Sequence, residues 1–320
     1  MEIIGNDNIN EVSNKLLLLL PQYKYFQYRN YPANNSKCWQ DYYLYKLEQI
    51  PDLKDTYCYF DFYNNEPYII NFCVKEWDKE LFGFYLASAS IIYTPYKINS
   101  DFFKNFLNNC LRSLVSQKNV KFVSVRINGD NLEVIHIFEE LGFHYYEDVI
   151  WPVLYVSDES KYESDDVRLM NQYDLEEVED VARNYQYQRG HFHSDKNFDL
   201  DKVNELYAKW IRTYFYNQNP ITIIKYNNKI VGYFVLMKDE ILSKYFGKIY
   251  FRMRSLALNG EVRGKGLGLK IFKRSISIMR DMGAEIIDSG YSTKNHLSAK
   301  LHNKTGFNSV YEEITLHKWY

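Results

Sequence analysis

Residues 255–268, with the sequence SLALNGEVRGKGLG, carry the strongest structural signal in this chain. They read as the end of an apolar strand, a turn at Asn259-Gly260, and a glycine-rich run that opens an amphipathic helix. Glycines at alternate positions before a helix allow several backbone N–H groups to point into one concavity, where the helix dipole adds positive potential. The pattern therefore predicts a cradle for a pyrophosphate group.

The spacing of these glycines separates the loop from two other phosphate loops. The dinucleotide fingerprint requires G-x-G-x-x-G, and the Walker loop requires Gly-Lys followed by Ser or Thr. Here the glycines run G-x-G-x-G, and Lys265 is followed by Gly266. The order Arg263-x-x-Gly266-x-Gly268, after a strand that breaks off at Leu258, resembles the acyl-CoA loop of the GCN5-related N-acetyltransferases (GNAT). The alternative is a glycine-rich turn that binds no ligand.

Composition and length exclude several classes of protein. The 320 residues predict about two domains, and 46% hydrophobic residues provide each with a core. The net charge is −2, from 39 Lys and Arg against 41 Asp and Glu, without the basic stripe that nucleic-acid binding requires. The four cysteines follow no metal or disulfide spacing, and no targeting or membrane-spanning segment is evident. We therefore expect a soluble cytoplasmic protein.

The second half of the chain contains a complete α/β unit. In chain order we predict a strand at 167–170, two helices, a hairpin turning at Asn227-Asn228, a strand at 248–258, the glycine loop with its helix, a strand at 285–292, a helix at 295–304 and closing strands at 309–320. This order matches the GNAT fold throughout.

The first half repeats part of that order. We predict an amphipathic helix over 103–114, a strand over 122–127, and a second helix that starts near Asp130 and stops at Gly142. Where a glycine cradle should open the first of these helices, residues 93–101 read YTPYKINSD and contain no glycine. We therefore expect a degenerate copy that keeps the architecture and has lost CoA binding.

The expected fold is α/β, with a mixed sheet and tandem GNAT-like domains. The polar stretch 159–166, ESKYESDD, separates a degenerate domain at 1–157 from a CoA-binding catalytic domain at 165–320. This arrangement resembles the bacterial amino-sugar N-acetyltransferases of the dTDP-fucosamine (dTDP-4-amino-4,6-dideoxygalactose) type, which pair a truncated N-terminal copy with an intact C-terminal one. The resemblance covers roughly residues 65–320.

Two short motifs carry this closer resemblance. The first is Trp77-Asp78 with Phe82, and the second is HFHSD at 191–195, followed by Leu206-Tyr207 and Trp210. The resemblance implies that His191, His193 and Asp195 line the acceptor pocket, although family members commonly have arginine where His191 stands. The H-x-H spacing also allows a metal-site interpretation, but no third nitrogen or sulfur ligand is evident and acyl transfer needs no metal. We expect no metal.

The resemblance also implies which residues bind CoA. The strand end should pair with the pantetheine arm, and the loop should hold the pyrophosphate. The expected CoA-binding residues are Leu256, Ala257, Leu258, Arg263, Gly264, Lys265, Gly266, Leu267, Gly268 and Asn295.

One catalytic residue follows from the same resemblance. In this fold the helix before a Gly-Phe pair usually carries a tyrosine four residues ahead of the glycine, which protonates the leaving thiolate of CoA. Counting back from Gly306 gives His302. An imidazolium with a pKa near 6.5 is a stronger acid than a thiol near 8.5, so His302 could take that role. Alternatively, His302 fills a helix position and water or Tyr291 donates the proton. The general base stays unassigned.

The sequence thus predicts an acyl-CoA-dependent N-acyltransferase that uses acetyl-CoA as co-substrate. The expected acceptor is a small molecule, the primary amine of a nucleotide-linked amino-deoxysugar in surface-glycan synthesis. Two alternative functions remain: acetylation of another amine (a protein amine, an amino acid or a drug) and CoA binding without catalysis. The protein could also form a homodimer.

Overall fold

The chain divides into two compact units in the computed structural model, which describes residues 1–5, 7–262 and 264–320, with only the backbone of Trp77. The first unit contains Met1–Tyr31, Asn35–Asp148 and Glu312–Tyr320. The second contains Pro32–Asn34 and Val149–Tyr311. None of the described helices combines the length and the apolar character needed to cross a membrane.

The first half of the chain begins with a helical region and continues as alternating strands and helices. Its elements are β1 (Glu2–Ile3), α1 (Ile9–Leu19), α2 (Cys38–Glu48), β2 (Thr56–Tyr63), β3 (Glu66–Lys75), α3 (Glu76–Phe82), β4 (Tyr85–Tyr93), α4 (Ser100–Lys118), β5 (Val120–Asn128), α5 (Leu132–Glu140) and β6 (His144–Tyr155). The predicted helix over 103–114 is confirmed as part of α4, whose apolar residues recur at the spacing of one buried helix face.

The second half follows the predicted order and adds two short helices. Its elements are β7 (Val167–Leu169), α6 (Leu175–Tyr185), α7 (His191–Ser194), α8 (Leu200–Tyr216), β8 (Ile221–Tyr226), β9 (Lys229–Lys238), α9 (Glu240–Phe246), β10 (Tyr250–Leu258), α10 (Leu267–Asp281), β11 (Ile286–Ser289), β12 (Tyr291–Ser292), α11 (His296–Lys304) and β13 (Asn308–Trp319). Single 3₁₀ turns connect several of these elements.

Each unit has a mixed sheet with one parallel pair at its centre. The first unit has the strand order β1-β2-β3-β4-β5-β13, in which β4 and β5 run parallel. The second has the order β6-β11-β10-β9-β8-β7, in which β10 and β11 run parallel. Helices α4 and α5 pack on the first sheet and α10 packs on the second, each through a continuous apolar core. The predicted α/β fold with a mixed sheet is confirmed.

The two halves share a detail that the sequence patterns did not predict. A seven-residue helix follows β3 as α3 and follows β9 as α9, and each ends in Phe-Gly. The glycines, Gly83 and Gly247, adopt left-handed φ angles of 86° and 68° that terminate the helices. This shared insertion supports the interpretation of the chain as two related copies.

The boundaries of the units fall inside two strands. Residues 149–155 of β6 pair with β11 and β12 in the second unit. Residues 313–319 of β13 pair with β5 in the first unit, for example Ile314 with Ile127 and Leu316 with Val125. Each unit therefore includes the strand that follows the last helix of the other half of the chain. The domain bounds expected from the sequence, 1–157 and 165–320, place all of β6 in the first domain and all of β13 in the second.

This exchange predicts that a substitution near the C-terminus destabilises the first unit. Leu316 in β13 is completely buried against that unit's core. We expect Leu316→Ala to lower the free energy of unfolding by roughly 2–5 kcal/mol, as for other buried leucines, and to speed hydrogen exchange of the β5 amides. Glu312→Ala, at an exposed position on the same strand, is the control. Unchanged protection of β5 in Leu316→Ala would contradict the exchange.

Candidate active site

A bulge in β10 coincides with the point at which β10 and β11 stop pairing, which we call the opening of the second sheet. Between two paired positions β10 advances three residues, from Met253 to Leu256, while β9 advances two, from Leu236 to Phe234. Arg254 and Ser255 therefore face a single residue of β9, which defines a β-bulge. The parallel pairing with β11 also stops here, at Met253 and Ser289.

Beyond the bulge, β10 pairs on one side only within the part of the chain that the structure describes. Leu256, Ala257 and Leu258 pair with β9, while β11 has already ended at Ser289. The other edge of this segment can hydrogen-bond to an extended ligand, in the way that a peptide adds to a sheet edge. A crevice at the carboxyl ends of parallel strands is a common ligand site in α/β folds.

The glycine loop continues directly from this edge into α10. Gly264 and Gly266 have left-handed φ angles of 80° and 76°, and a Cβ atom at either would meet no atom within 4 Å. Gly266 is the N-cap of α10 and provides no side chain to satisfy the N–H groups of the first turn. Open space, unsatisfied donors and the positive end of a helix dipole thus coincide. Arg263, which the sequence assigned to this loop, lies outside the described residues.

Neighbouring residues complete the loop. Lys265 Nζ donates to Tyr226 Oη at 3.2 Å and lies 4.3 Å from the centre of the tyrosine ring, which keeps a positive charge beside the glycines. Gly268 lies in the first turn of α10, where an added Cβ would contact Leu301 at 3.7 Å and Leu258 at 3.8 Å. Gly264 and Gly266 thus adopt the left-handed backbone conformation that the loop requires, and Gly268 allows α10 to pack closely against its neighbours. These features fit the pyrophosphate of a CoA molecule whose pantetheine arm follows β10.

Asn295 begins the helix on the other side of the opening. It is the N-cap of α11, and its Oδ1 accepts a hydrogen bond from the backbone N–H of Ser298 at 3.1 Å. The oxygen is therefore engaged within the protein. The amide nitrogen is the group through which Asn295 could contact CoA.

His302 lies on α11 and is only 2% exposed. Its Nδ1–H donates to the carbonyl oxygen of Ser298 at 2.8 Å, which leaves the lone pair on Nε2. Nε2 is buried and has no hydrogen-bond partner among the described residues. Burial lowers the pKa of His302 to about 4, because the charged form loses its hydration.

This environment corrects the protonation state that the sequence suggested for His302. The sequence suggested a donor with a pKa near 6.5, whereas the buried ring is neutral well below that pH and its Nε2 carries no hydrogen to donate. The ring packs between aromatic side chains, with Tyr291 at 4.7 Å and Phe272 at 4.9 Å between ring centres. Tyr291 is half-buried on β12, and its hydroxyl makes no hydrogen bond within the described residues.

The three residues expected at the acceptor site differ in accessibility. His191, His193 and Asp195 lie at α7, a single helical turn, so the two histidines do not face the same side as they would on a strand. Asp195 is completely buried, and its Oδ1 accepts two hydrogen bonds from Asn197, both at 3.1 Å. Its carboxylate therefore holds the loop after α7. His191 is half-buried and packs against the ring of Phe192.

His193 presents an unused acceptor atom. Its Nε2–H donates to Asn204 Oδ1 at 3.0 Å, and its ring stacks on Tyr207 with centres 5.3 Å apart. Nδ1 is buried and has no partner in the described part of the chain. Burial lowers the pKa of His193, so the neutral ring can accept a hydrogen bond at Nδ1.

Sequence reasoning missed the residues that surround the bulge. Arg254 lies over the ring of Trp151 on β6, and Tyr233 on β9 donates to Gln186 and bonds Ser255 at 2.8 Å. Arg252 forms ion pairs with Asp239 at 2.9 Å and with the buried Asp288 at 3.5 Å. No local spacing reveals these contacts, because they join β6, β9, β10 and β11 across the sheet.

The described residues of the second unit form cavities at two places, among others. One of about 180 Å³ is lined by Trp210, Thr213 and Tyr214 of α8. A larger one of about 330 Å³ lies between the end of β6, α10 and the end of α11, and none of the expected CoA-binding or acceptor residues lines it. None of those residues, as far as the structure describes them, lines the smaller cavity either.

The strand order and the glycine loop agree with the fold expected from the sequence. Residues 175–307 match the model of the acetyltransferase (GNAT) family. The matched region includes the glycine loop, α10 and α11 and covers less than half of the chain. No curated protein sequence matches the chain significantly.

Solved structures resemble the chain over most of its length. A tandem GNAT protein from the clavulanic acid biosynthesis pathway has 10% identity and a TM-score of 0.58, covering 99% of this chain and 97% of its own. A GCN5-related N-acetyltransferase from Sphaerobacter thermophilus has 10% identity and a TM-score of 0.57, covering 85% of both chains. A glucosamine N-acetyltransferase region of a fungal multi-domain β-N-acetylglucosaminidase has 9% identity and a TM-score of 0.61, covering 99% of this chain and 38% of that protein. These likenesses establish the tandem fold.

The buried His302 predicts a specific pH dependence of stability. Between pH 6.5 and pH 4 the unfolded chain binds a proton at His302 that the folded chain does not, so this residue lowers stability as the pH falls. We expect the wild type to lose about 2 kcal/mol more than His302→Phe between pH 7.5 and pH 5 in urea unfolding. His136→Gln, at an exposed position, should follow the wild type. Equal pH dependence in wild type and His302→Phe would show that the ring is not buried in its neutral form.

Proposed function

We propose that the chain transfers an acetyl group from acetyl-CoA to a primary amine, using one CoA site in the second unit. The observation that carries this proposal is the parting of β10 and β11 at Met253 and Ser289, directly before the glycine-capped α10. The edge formed by Leu256, Ala257 and Leu258 would pair with the pantetheine arm. The concavity at Gly264–Gly268 would hold the pyrophosphate.

The first unit lacks the features that support CoA binding in the second. At the corresponding helix, α4, the side chain of Asn99 accepts a hydrogen bond from the backbone N–H of Phe102 at 2.9 Å. Asp101 lies in the first turn, and Ser100 donates to Glu133 at 3.0 Å. A cap that is satisfied internally and two nearby carboxylates oppose binding of a phosphate. We therefore propose that residues 1–157 are the degenerate copy expected from the sequence.

The acceptor we propose is the amine of a nucleotide-linked amino-deoxysugar in surface-glycan synthesis, as for enzymes of the dTDP-fucosamine type. The short motifs at Trp77-Asp78 and at 191–195, through which the chain resembles that type, support this proposal. A cytoplasmic location fits the four cysteines, which are free thiols. The proposal applies equally to a monomer and to a homodimer. A CoA-binding module without catalysis is the alternative outcome of the test below.

Acyl transfer requires a neutral amine and a proton for the leaving sulfur. The amine nitrogen attacks the thioester carbon, the C–N bond forms, the C–S bond breaks, and the amine proton passes to solvent. Because Nε2 of His302 carries no hydrogen, we assign the proton donor for sulfur to the hydroxyl of Tyr291, which solvent then reprotonates. His302 packs on the ring of Tyr291 and positions it.

The CoA site is tested by a charge placed in the glycine loop. We expect Gly266→Asp to weaken binding of CoA roughly 10²-fold, since a unit charge about 4 Å from a phosphate costs about 4 kcal/mol at an effective dielectric constant near 20, before screening. Gly266→Asn, which has a similar shape and no charge, should lose much less. Calorimetry should give one site per chain in the wild type. Two sites, or equal losses in both variants, would refute the assignment of the cradle.

The reaction itself is tested by release of CoA thiol with a panel of amines, namely nucleotide-linked amino sugars, lysine peptides and polyamines. We expect transfer to at least one nucleotide-linked amino sugar, with loss of activity in Gly266→Asp. Good transfer to peptides or polyamines alone would reject the proposed acceptor. CoA binding without transfer to any amine would favour the non-catalytic module.

The donor assignment predicts unequal effects at two neighbouring residues. Tyr291→Phe should lower kcat roughly 10²-fold with little change in the affinity for CoA, because it removes a general acid. His302→Phe keeps the aromatic packing and should lower kcat less. The reverse order, with His302→Phe inactive and Tyr291→Phe active, would make His302 the catalytic group, as the sequence first suggested.

A further inference from the structure

Arg254 lies where the sheet opens. It is one of the two residues of the β10 bulge, directly after the last position at which β10 pairs with β11. Its side chain is half-buried. A residue at a bulge is displaced from the regular alternation of the strand, so its side chain can be directed toward a site instead of the core.

A tryptophan holds the side chain of Arg254. The guanidinium carbon lies 5.4 Å from the centre of the Trp151 ring on β6. The same ring covers the backbone between β11 and β12, since a Cβ atom at Gly290 would come within 3.0 Å of it. The Trp151 ring thus reaches from β6 over Gly290, past the end of β11, and meets the Arg254 side chain there. Stacking on an aromatic face fixes a guanidinium but leaves its N–H groups available.

Within the described residues no carboxylate forms an ion pair with Arg254. Arg252, two residues earlier on the same strand, pairs with both Asp239 and Asp288. A guanidinium has five N–H donors in a planar fork that suits carboxylate and phosphate groups. Carboxylates of the protein thus neutralise the charge of Arg252. The charge of Arg254 is not neutralised by any described carboxylate, so an anionic ligand can pair with it.

We infer that the acceptor carries an anionic group besides its amine, and that Arg254 binds this group. The inference rests on the proposed acetyl transfer and narrows its acceptor. Phosphate and carboxylate share the required chemistry. Neutral amines and polyamines lack it.

The test compares acceptors that differ only in charge. Glucosamine is paired with glucosamine 6-phosphate, an α-amino acid with its amide, and a nucleotide-linked amino sugar represents the diphosphate source. Initial rates of thiol release give kcat and KM for each acceptor with wild type, Arg254→Met and Arg254→Lys. Lys229→Met, which removes an exposed positive charge on the β8–β9 hairpin, is the control for net charge.

We expect the wild type to prefer the anionic member of at least one pair by 10-fold or more in kcat/KM. Arg254→Met should raise KM for that acceptor by roughly 10- to 100-fold and leave KM for neutral amines and for acetyl-CoA unchanged. Arg254→Lys should recover part of the loss, since it keeps the charge without the planar fork. The pair that responds identifies phosphate or carboxylate.

Binding measurements separate failure of this inference from failure of the proposed reaction. Each anionic probe is titrated calorimetrically into the CoA-bound protein and its Arg254→Met variant, whose CoA affinity and circular dichroism report folding. Transfer without preference for anions, or equal loss for all acceptors in Arg254→Met, rejects the anion site and leaves the acetyl transfer intact. Binding of an anionic probe that depends on Arg254, without transfer to any amine, supports the anion site and rejects the reaction. If no anionic probe binds and no amine is acetylated, the anion site and the acetyl transfer are both rejected.

Discussion

One extra residue in β10 determines the geometry of the second unit. Because Arg254 and Ser255 face a single residue of β9, the strand is offset after Met253 and no longer pairs with β11. The contacts from Tyr233 to Ser255 and from Trp151 to Arg254 hold the two bulged residues in place. A fully paired sheet would offer neither a free strand edge nor a gap, so the candidate site depends on this irregularity.

The N-termini of α4 and α10 show how one fold supports either stability or binding. Asn99 satisfies an N–H group of α4 with its own side chain, which is the usual way to stabilise a helix end. Gly266 leaves the first turn of α10 without such a cap and adopts a left-handed conformation. The uncapped helix end is less stable by itself, and a bound anion can supply the missing acceptor. The same position is thus capped by a side chain in one copy, whereas in the other copy it has no such cap and is the proposed phosphate site.

The sequence predicted those features that depend on local pattern. The glycine loop, the order of strands and helices and the missing cradle at 93–101 are visible within short windows, because backbone conformation and amphipathic spacing are local properties. The pKa near 6.5 assumed for His302 was wrong, since burial lowers the pKa of this residue and no local pattern reveals the burial. The placement of Arg254 over Trp151 was missed because their strands are joined only in the folded sheet. Asp195 was expected to line the acceptor pocket, yet its complete burial reflects a loop contact that no motif encodes.

The exchanged strands explain why a copy without a CoA cradle can still be required. Trp151, which supports Arg254, precedes the polar stretch 159–166 in the sequence but belongs to the second unit. In the same way, Leu316 from the end of the chain completes the core of the first unit. Loss of either half would remove a core strand from the other, and unpaired edge strands are prone to aggregation. Because each unit contains a strand from the other half of the chain, one copy can lose its binding function while its fold is still needed to complete the other copy.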